Sequence, residues 1–245
     1  MVYSKREYRG GLCPKGMGCF TVTVKETDLW IAVDKEALTA DLPEKVEQFV
    51  WQKRRLLEKY IKGDPYFKNT LHPYLVGEDA PEIAVDMVRA GNMAGVGPMA
   101  AVAGAFAHYT GMWLLEKTSR VIVENGGDIF LFCPEPLKVG VFAGRSPFSG
   151  KLFLEINPIA KPRGICTSSG TVGPSYSEGK ADAAIILASN TILADAVATA
   201  VANKIQTEDD LQEALQFARS IVGVEGVLLI LDKKLAAWGD IKLVD

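Results

Sequence analysis

The strongest constraint on the fold is the order in which hydrophobic periodicity changes along the chain. Apolar runs rich in Thr and Val at residues 20–24 and 29–33, split by Lys25-Glu26-Thr27-Asp28, have the pattern of a β-hairpin. The period then becomes helical. From Asp41, with Pro43 and Glu44 near the start, Val46, Phe49, Val50, Leu57, Tyr60 and Ile61 recur on one face, while Lys53, Arg54 and Arg55 are expected on the solvated side. Residues 63–80 read as a loop, and helices are expected over 81–93 and 98–116, the second rich in Ala and Gly. Beyond Arg120 short strands return at 121–123, 129–132, 137–142, 152–156 and 183–188. A helix of Ala, Val and Asp is expected over 191–203, then an amphipathic helix capped by Thr207 and carrying Leu211, Ala214, Leu215 and Ala218, then strands at 226–231 and 235–238. Strands, helices and a second run of antiparallel-looking strands predict an α+β architecture and argue against a doubly wound parallel sheet.

No internal repeat or long polar linker divides the 245 residues. One domain over 1–245 is expected, built from two closely packed α+β halves that meet near 118–125. Net charge is −3, with 27 Lys and Arg against 30 Asp and Glu spread along the chain, so no basic field for nucleic acid is present. The basic N-terminus is not followed by a signal-length apolar stretch. The most apolar long run, 93–107, is broken by Gly95, Gly97, Pro98 and Gly104 and is shorter than the roughly 20 residues that cross a bilayer. A cytoplasmic protein with reduced thiols, not associated with a membrane, is therefore expected. Cys13, Cys19, Cys133 and Cys166 form no CxxC pair, and with only His72 and His108 available a mixed zinc site is hard to assemble. Chemistry should rest on carboxylates, hydroxyls and backbone groups. Of the two histidines, His108 is the better functional candidate, since its helix could line a pocket.

Three segments can carry such chemistry. Asn125-Gly126-Gly127-Asp128 lies between two apolar runs. It serves either as a tight hairpin turn needing positive φ, or as a bare edge where amides approach a flat or anionic ligand beside a carboxylate. Cys166-Thr167-Ser168-Ser169-Gly170-Thr171 is followed by Val172 and Gly173. Its hydroxyls and glycines could form a phosphate-binding nest or an ordinary polar loop. In Ala194-Asp195-Ala196-Val197-Ala198-Thr199-Ala200, Asp195 and Thr199 share a helix face among small residues. Two hard oxygens so placed suit Mg²⁺, although the same pattern fits an Asp favoured by the helix dipole and a Thr bonded back to the helix. No Walker or GxGxxG motif accompanies them.

In this order, the GGD turn, TSSG loop and ADAVATA helix resemble the ApbE-type flavin transferases, the FAD:protein FMN transferases. The resemblance spans roughly residues 91–245 and is most specific at ADAVATA. A shorter, soluble branch of that superfamily, with a signature like CTSSGTVG followed by GKADA (here Gly179-Lys180-Ala181-Asp182-Ala183), is similar more closely. The resemblance implies a T-fold-like α+β fold of antiparallel sheets packed with helices. It implies Mg²⁺ on Asp195 and Thr199. It implies an FAD pocket lined by Asn125, Gly126, Gly127, Thr167, Ser168, Ser169, Gly170 and Thr171. The family's His-bearing HIIDPxTG segment and its AKGxxxD stretch have no counterpart here, and in an Mg²⁺-dependent enzyme Asp128 or Asp182 is the candidate base.

Two functions remain open on the sequence. One is an Mg²⁺-dependent enzyme acting on FAD or a related dinucleotide, as an FMN transferase to a protein acceptor or as an FAD pyrophosphatase. The other is a non-catalytic flavin, nucleotide or metabolite-binding protein of the same fold. A third reading is a structural or assembly protein, such as a homodimer, whose Gly- and Ala-rich helical faces are its interfaces.

Overall fold

The computed structural model describes residue 9 and residues 13–157, 160–171 and 179–244. The first two apolar runs pair as the hairpin β1 (Met17–Val24) and β2 (Thr27–Asp34). The helical segment follows as α1 (Leu42–Gly63), α2 (Pro65–Asn69), α3 (Glu82–Ala94) and, after a 3-10 turn at Pro98–Ala101, α4 (Val102–Leu115). Next come β3 (Val121–Asn125), β4 (Asp128–Phe132), β5 (Leu137–Gly140), β6 (Phe153–Ile156), β7 (Arg163–Ser168) and β8 (Ala183–Ala188). The chain closes with α5 (Thr191–Lys204), α6 (Asp210–Ser220), β9 (Val224–Leu231), β10 (Lys234–Gly239) and β11 (Leu243–Val244). An antiparallel eight-stranded sheet runs β1-β2-β3-β4-β7-β8-β9-β10, and a three-stranded one runs β11-β6-β5. The α+β expectation holds.

Side-chain alternation explains the layering. Along β8, Ala184, Ile186 and Ala188 join the core shared with the helices, while Ala183, Ile185 and Leu187 join the core under the small sheet. A strand covered on both faces has no need of polar positions, which accounts for an apolar run without alternation. The helix after it, α5, is buried over most of its length. Asn190 starts it, its side-chain oxygen accepting from the Ile192 and Leu193 amides at 2.7 and 3.4 Å.

Several expectations are corrected. Residues 166–168, expected in a phosphate-binding nest or a polar loop, instead end β7 (Arg163–Ser168) at the centre of the sheet. Its short polar end hides the strand pattern, because Thr167 and Ser168 are only partly covered. The loop 63–80 contains α2, and β11 adds a third small-sheet strand. Thr207 does not cap α6, which begins at Asp210: the Asp210 carboxylate reaches back to accept from the Gln206 and Thr207 amides. Arg54 is not simply solvated; it donates to Thr27 Oγ1 at 2.6 Å and pairs with Glu26 and Glu58, tethering α1 to the β1–β2 turn. Cys13 and Cys19 form a disulfide rather than standing as free thiols, the turn before β1 bringing their Cα atoms to 5.9 Å. Cys133 and Cys166 are free and buried. Among the described residues no helix is long and apolar enough to cross a membrane.

Asp34, at the end of β2, organises the turn from α4 into β3. It accepts from the Thr118 and Ser119 hydroxyls, the Ser119 and Arg120 amides and Arg120 Nε. Burial works to raise its pKa, but these bonds from Thr118, Arg120 and Ser119 outweigh it and hold the carboxyl well below the ordinary 3.8. A depressed folded-state pKa contributes stability that is present above the unfolded value and lost as pH falls through the folded one. Asp34→Asn is therefore expected to lose about 2–3 kcal/mol near pH 7, with the gap to wild type closing below the ordinary value of 3.8, as read by urea unfolding across pH.

Candidate functional site

Strand register decides which face each candidate side chain occupies. Asn125 pairs with Asp128 across a turn in which Gly126 and Gly127 have φ of 72° and 106°. Positive φ at both central positions is the geometry that tight hairpins require, so the turn reading holds, and the same turn lines a cavity of 1170 Å³. Asp128 pairs with Cys166, and Cys166 belongs to the helical-side core. On that face Cys166 Sγ lies 3.4 Å from the Thr191 carbonyl at the start of α5. Burial pushes the Cys166 thiol up, and the charges of Asp128 and Asp195 push it further, since both carboxylates converge on it. A thiol so held is no nucleophile.

Asp195 lies in the second turn of α5 but serves the next helix. Its Oδ2 accepts from the Gly104 amide at 2.7 Å, in the first turn of α4, where backbone donors have no intrahelical acceptor. Gly104 must be glycine for this, because a Cβ there would stand 2.6 Å from the Thr191 carbonyl and 2.7 Å from Asp195 Cβ. Burial raises the Asp195 pKa to about 7, against the lowering effect of the Gly104 and Ala103 amides. Asn125 joins this arrangement by donating from Nδ2 to the Ala103 carbonyl at 3.0 Å. Thr199, one turn further along α5, also lines the cavity. Hairpin, α4 and α5 are thus bound together at one point.

The cavity wall includes Gly126, Gly127, Asp128, Thr167, Ser168, Ser169, Asp195 and Thr199. Asn125, Gly170, Thr171 and Asp182 are not among the residues that line it. Gly170 donates its amide to the Ala181 carbonyl at 2.9 Å, and its small size makes room for the Gly179 backbone rather than for a ligand. Thr171 Oγ1 donates to Asp182 Oδ1 at 3.0 Å, while Asp182 Oδ2 accepts from the Asp232 amide at 2.8 Å. Asp182 is 4% exposed, with an oxygen on each of two loops. Gly173 lies outside the described residues.

The cavity also collects residues that sequence reasoning passed over. Lys68, Lys138 and Lys204 supply positive charge, and Trp30, Phe142 and Phe217 supply aromatic surface. His72 lines it, whereas His108 does not: the His108 ring packs edge-on against Phe130, and burial lowers its pKa against the opposing charge of Asp86. Arg9 reaches the same wall, donating from Nε to Glu124 Oε2 at 2.6 Å and from Nη1 to Asp28 Oδ2 at 2.9 Å. Glu124 Oε1 in turn accepts from the Gly127 amide at 2.8 Å. One Arg of a basic terminal stretch gives no sequence signal of that contact. Among the described residues no three His, Cys, Asp or Glu side chains form a cage for a metal ion.

The family model described as AbpE bacteria matches residues 11–237, extending the expected resemblance back to the first hairpin. A UPF0280 protein of Methanosarcina acetivorans is 39% identical over 220 residues, covering 89% of this chain and 85% of its own. Another UPF0280 protein, from Methanocella arvoryzae, is 44% identical over 195 residues, 78% of each chain. Among solved structures, the flavin transferase ApbE from Vibrio cholerae superposes with a TM-score of 0.57 at 13% identity, over 92% of this chain and 97% of that one. The ApbE protein from Thermotoga maritima gives 0.54 at 12% identity, over 90% and 96%. At such identity the shared property is the fold.

Glu124 is 7% exposed, and its removal leaves both the Gly127 amide and the Arg9 guanidinium short of an acceptor. Glu124→Ala should cost about 2–4 kcal/mol in urea unfolding, and Glu124→Gln, which keeps an oxygen for Gly127, clearly less.

Proposed function

The chain belongs to the family described as AbpE bacteria, and from that premise we propose that its cavity binds FAD or a related dinucleotide with Mg²⁺ and catalyses attack on the pyrophosphate. The observation that carries this reading is the Asp195 carboxylate, held in the cavity wall at the N-terminus of α4 with Thr199 one turn away and Asp128 converging on the same thiol. The name borne by the Vibrio cholerae neighbour, flavin transferase, supports the choice of flavin. The cavity volume of 1170 Å³ exceeds the roughly 300–1,000 Å³ of sites for drug-sized ligands, which leaves room for a dinucleotide.

The residues present fit a magnesium ion. Asp195 and Thr199 offer two hard oxygens, and Mg²⁺ keeps several waters and takes phosphate oxygens, so it needs no closed protein cage. A buried carboxylate compensated only by backbone amides, with its pKa drawn up to about 7, also gains from a neighbouring cation. Bound there, the ion would supply charge neutralisation at the phosphate oxygens.

The chain's own groups do the rest. Thr167 and Ser168, at the open end of β7, donate hydroxyl hydrogen bonds to phosphate, and Lys68 and Lys204 set a positive potential around it. Asp128 accepts the proton of the attacking hydroxyl, from water or from Ser or Thr of a protein acceptor. The new bond joins that oxygen to the FMN phosphorus, the bridging P–O bond breaks, and AMP leaves with the bridging oxygen. Water as nucleophile yields FMN and AMP; a protein hydroxyl yields FMN-protein and AMP. Asp182 has no part in this, since its two oxygens tie the Thr171 loop to the β9–β10 turn.

Incubation of the purified protein with FAD and MgCl₂, followed by chromatography, is expected to release AMP with FMN or flavinylated acceptor. Asp195→Ala should lower the rate at least about a hundredfold, and EDTA should abolish it. Absence of both products with no flavin bound would refute the reading, while saturable FAD binding without turnover would identify a flavin-binding protein instead.

A further inference from the structure

The large sheet has an edge that its own sequence leaves unguarded. β1 lies at the end of the strand order, and its residues, MGCFTVTV, include no charged side chain and no proline. Its register with β2 runs from Met17 opposite Asp34 to Val24 opposite Thr27 without a bulge. Lys, Pro and bulges are the devices that keep such an edge from pairing. The other margins carry some protection or are short. β10 opens with Lys234, and its last carbonyl, on Gly239, accepts from the Ile241 amide. In the small sheet, β5 and β11 span only 4 and 2 residues.

Parity identifies the groups on that edge. The turn Lys25-Glu26 joins the strands, so Val24 and Thr27 exchange backbone bonds, and Thr23, Thr21, Cys19 and Met17 point their amides and carbonyls away from β2. Met17 agrees with this, its amide turning outward to the Pro14 carbonyl at 3.1 Å. The loop that accepts that bond is tied to Cys19 through the Cys13 disulfide, so the start of the strand is braced by its own chain. Thr21 and Thr23 are exposed, and among the described residues nothing accepts from their amides. α1 packs on β1, and its Trp51 is 37% exposed next to the turn that ends the strand, with Lys25 Nζ 5.2 Å over the ring. The Gly- and Ala-rich faces of α4 and α5, by contrast, are buried inside the fold.

We infer that β1 pairs antiparallel with β1 of a second copy of this chain, about a two-fold axis at Val22. Thr21 of each copy then lies opposite Thr23 of the other, and each such pair exchanges two backbone hydrogen bonds. Threonines paired across strands are favourable, and an uncharged strand meets its own copy without repulsion. The row is its own complement, which closes the assembly at two copies. A contact from β1 to β10 would instead leave an edge free at each end and propagate. Trp51 of each copy borders the joined strands and adds apolar area to the backbone bonds.

Light scattering on the full 245-residue chain after size exclusion is expected to give twice its mass of 26.5 kDa, falling toward the single mass on dilution. Hydrogen exchange checks the surface on the wild type, with no substitution to disturb folding: the Thr21 and Thr23 amides should be protected in the concentrated sample and lose that protection as the dimer dissociates. Thr21→Lys combined with Thr23→Lys sets like charges directly opposite one another across the axis, at exposed positions outside the core. It should weaken dimerisation at least about a hundredfold while leaving the unfolding midpoint at that of the diluted wild type. Trp51→Ala should weaken it about fivefold. A single mass at every concentration, a dimer indifferent to the two lysines, or Thr21 and Thr23 amides that exchange freely within the dimer would overturn the proposal. Growth beyond two copies with concentration would overturn it in favour of head-to-tail pairing through β10.

Discussion

The contact between the Asp195 carboxylate and the Gly104 amide is the constraint on which the rest of the structure depends. It joins the second turn of one buried helix to the first turn of another, and only small residues let the backbones come close enough. Gly104 is fixed by the Thr191 carbonyl and Asp195 Cβ on its own side, and the alanines flanking Asp195 are buried. Asn125 extends the same junction to the β3–β4 hairpin through the Ala103 carbonyl. A carboxylate held this way is costly to bury, and burial draws its pKa upward against the amides that it accepts from.

The sheet contributes a second principle, the strict alternation of its faces. Because successive side chains point opposite ways, neighbouring positions of the β7 end serve different environments: Ser168 faces the helices and Thr167 the small sheet. A glycine turn at the sheet's edge lets one cavity draw on both. Asp128, Ser168 and Asp195 line it from the helical face, and Thr167 and Glu124 from the face toward the small sheet.

Much of this was legible in the sequence, for identifiable reasons. The central helix declared itself through its run of Ala and Val around Asp195, and the hairpin through Asn125-Gly126. The pocket-lining part of the hydroxyl segment, Thr167 to Ser169, also carried its signal locally. What stayed hidden depends on partners distant in sequence. β7 owes its strand state to β4 and β8 on either side, which no local pattern of Arg163 to Ser168 reports. Gly170 looked like ligand clearance and makes room for the Gly179 backbone. The contrast between His72 and His108 turned on which face of α4 meets Phe130. Arg9 bridges Asp28 and Glu124, contacts that no spacing rule reaches.

Strand order in the large sheet follows chain order except at one place, where β5 and β6 leave to build the small sheet and β4 pairs with β7. The candidate site lies at that seam, with Asp128 on one side and Cys166 to Ser169 on the other. Pairing across the seam closes a longer loop than the β3–β4 hairpin, so its entropic cost is met only once the intervening excursion has docked. A partly assembled chain can thus have its β1–β2 and β3–β4 hairpins and still lack the cavity wall that β7 completes.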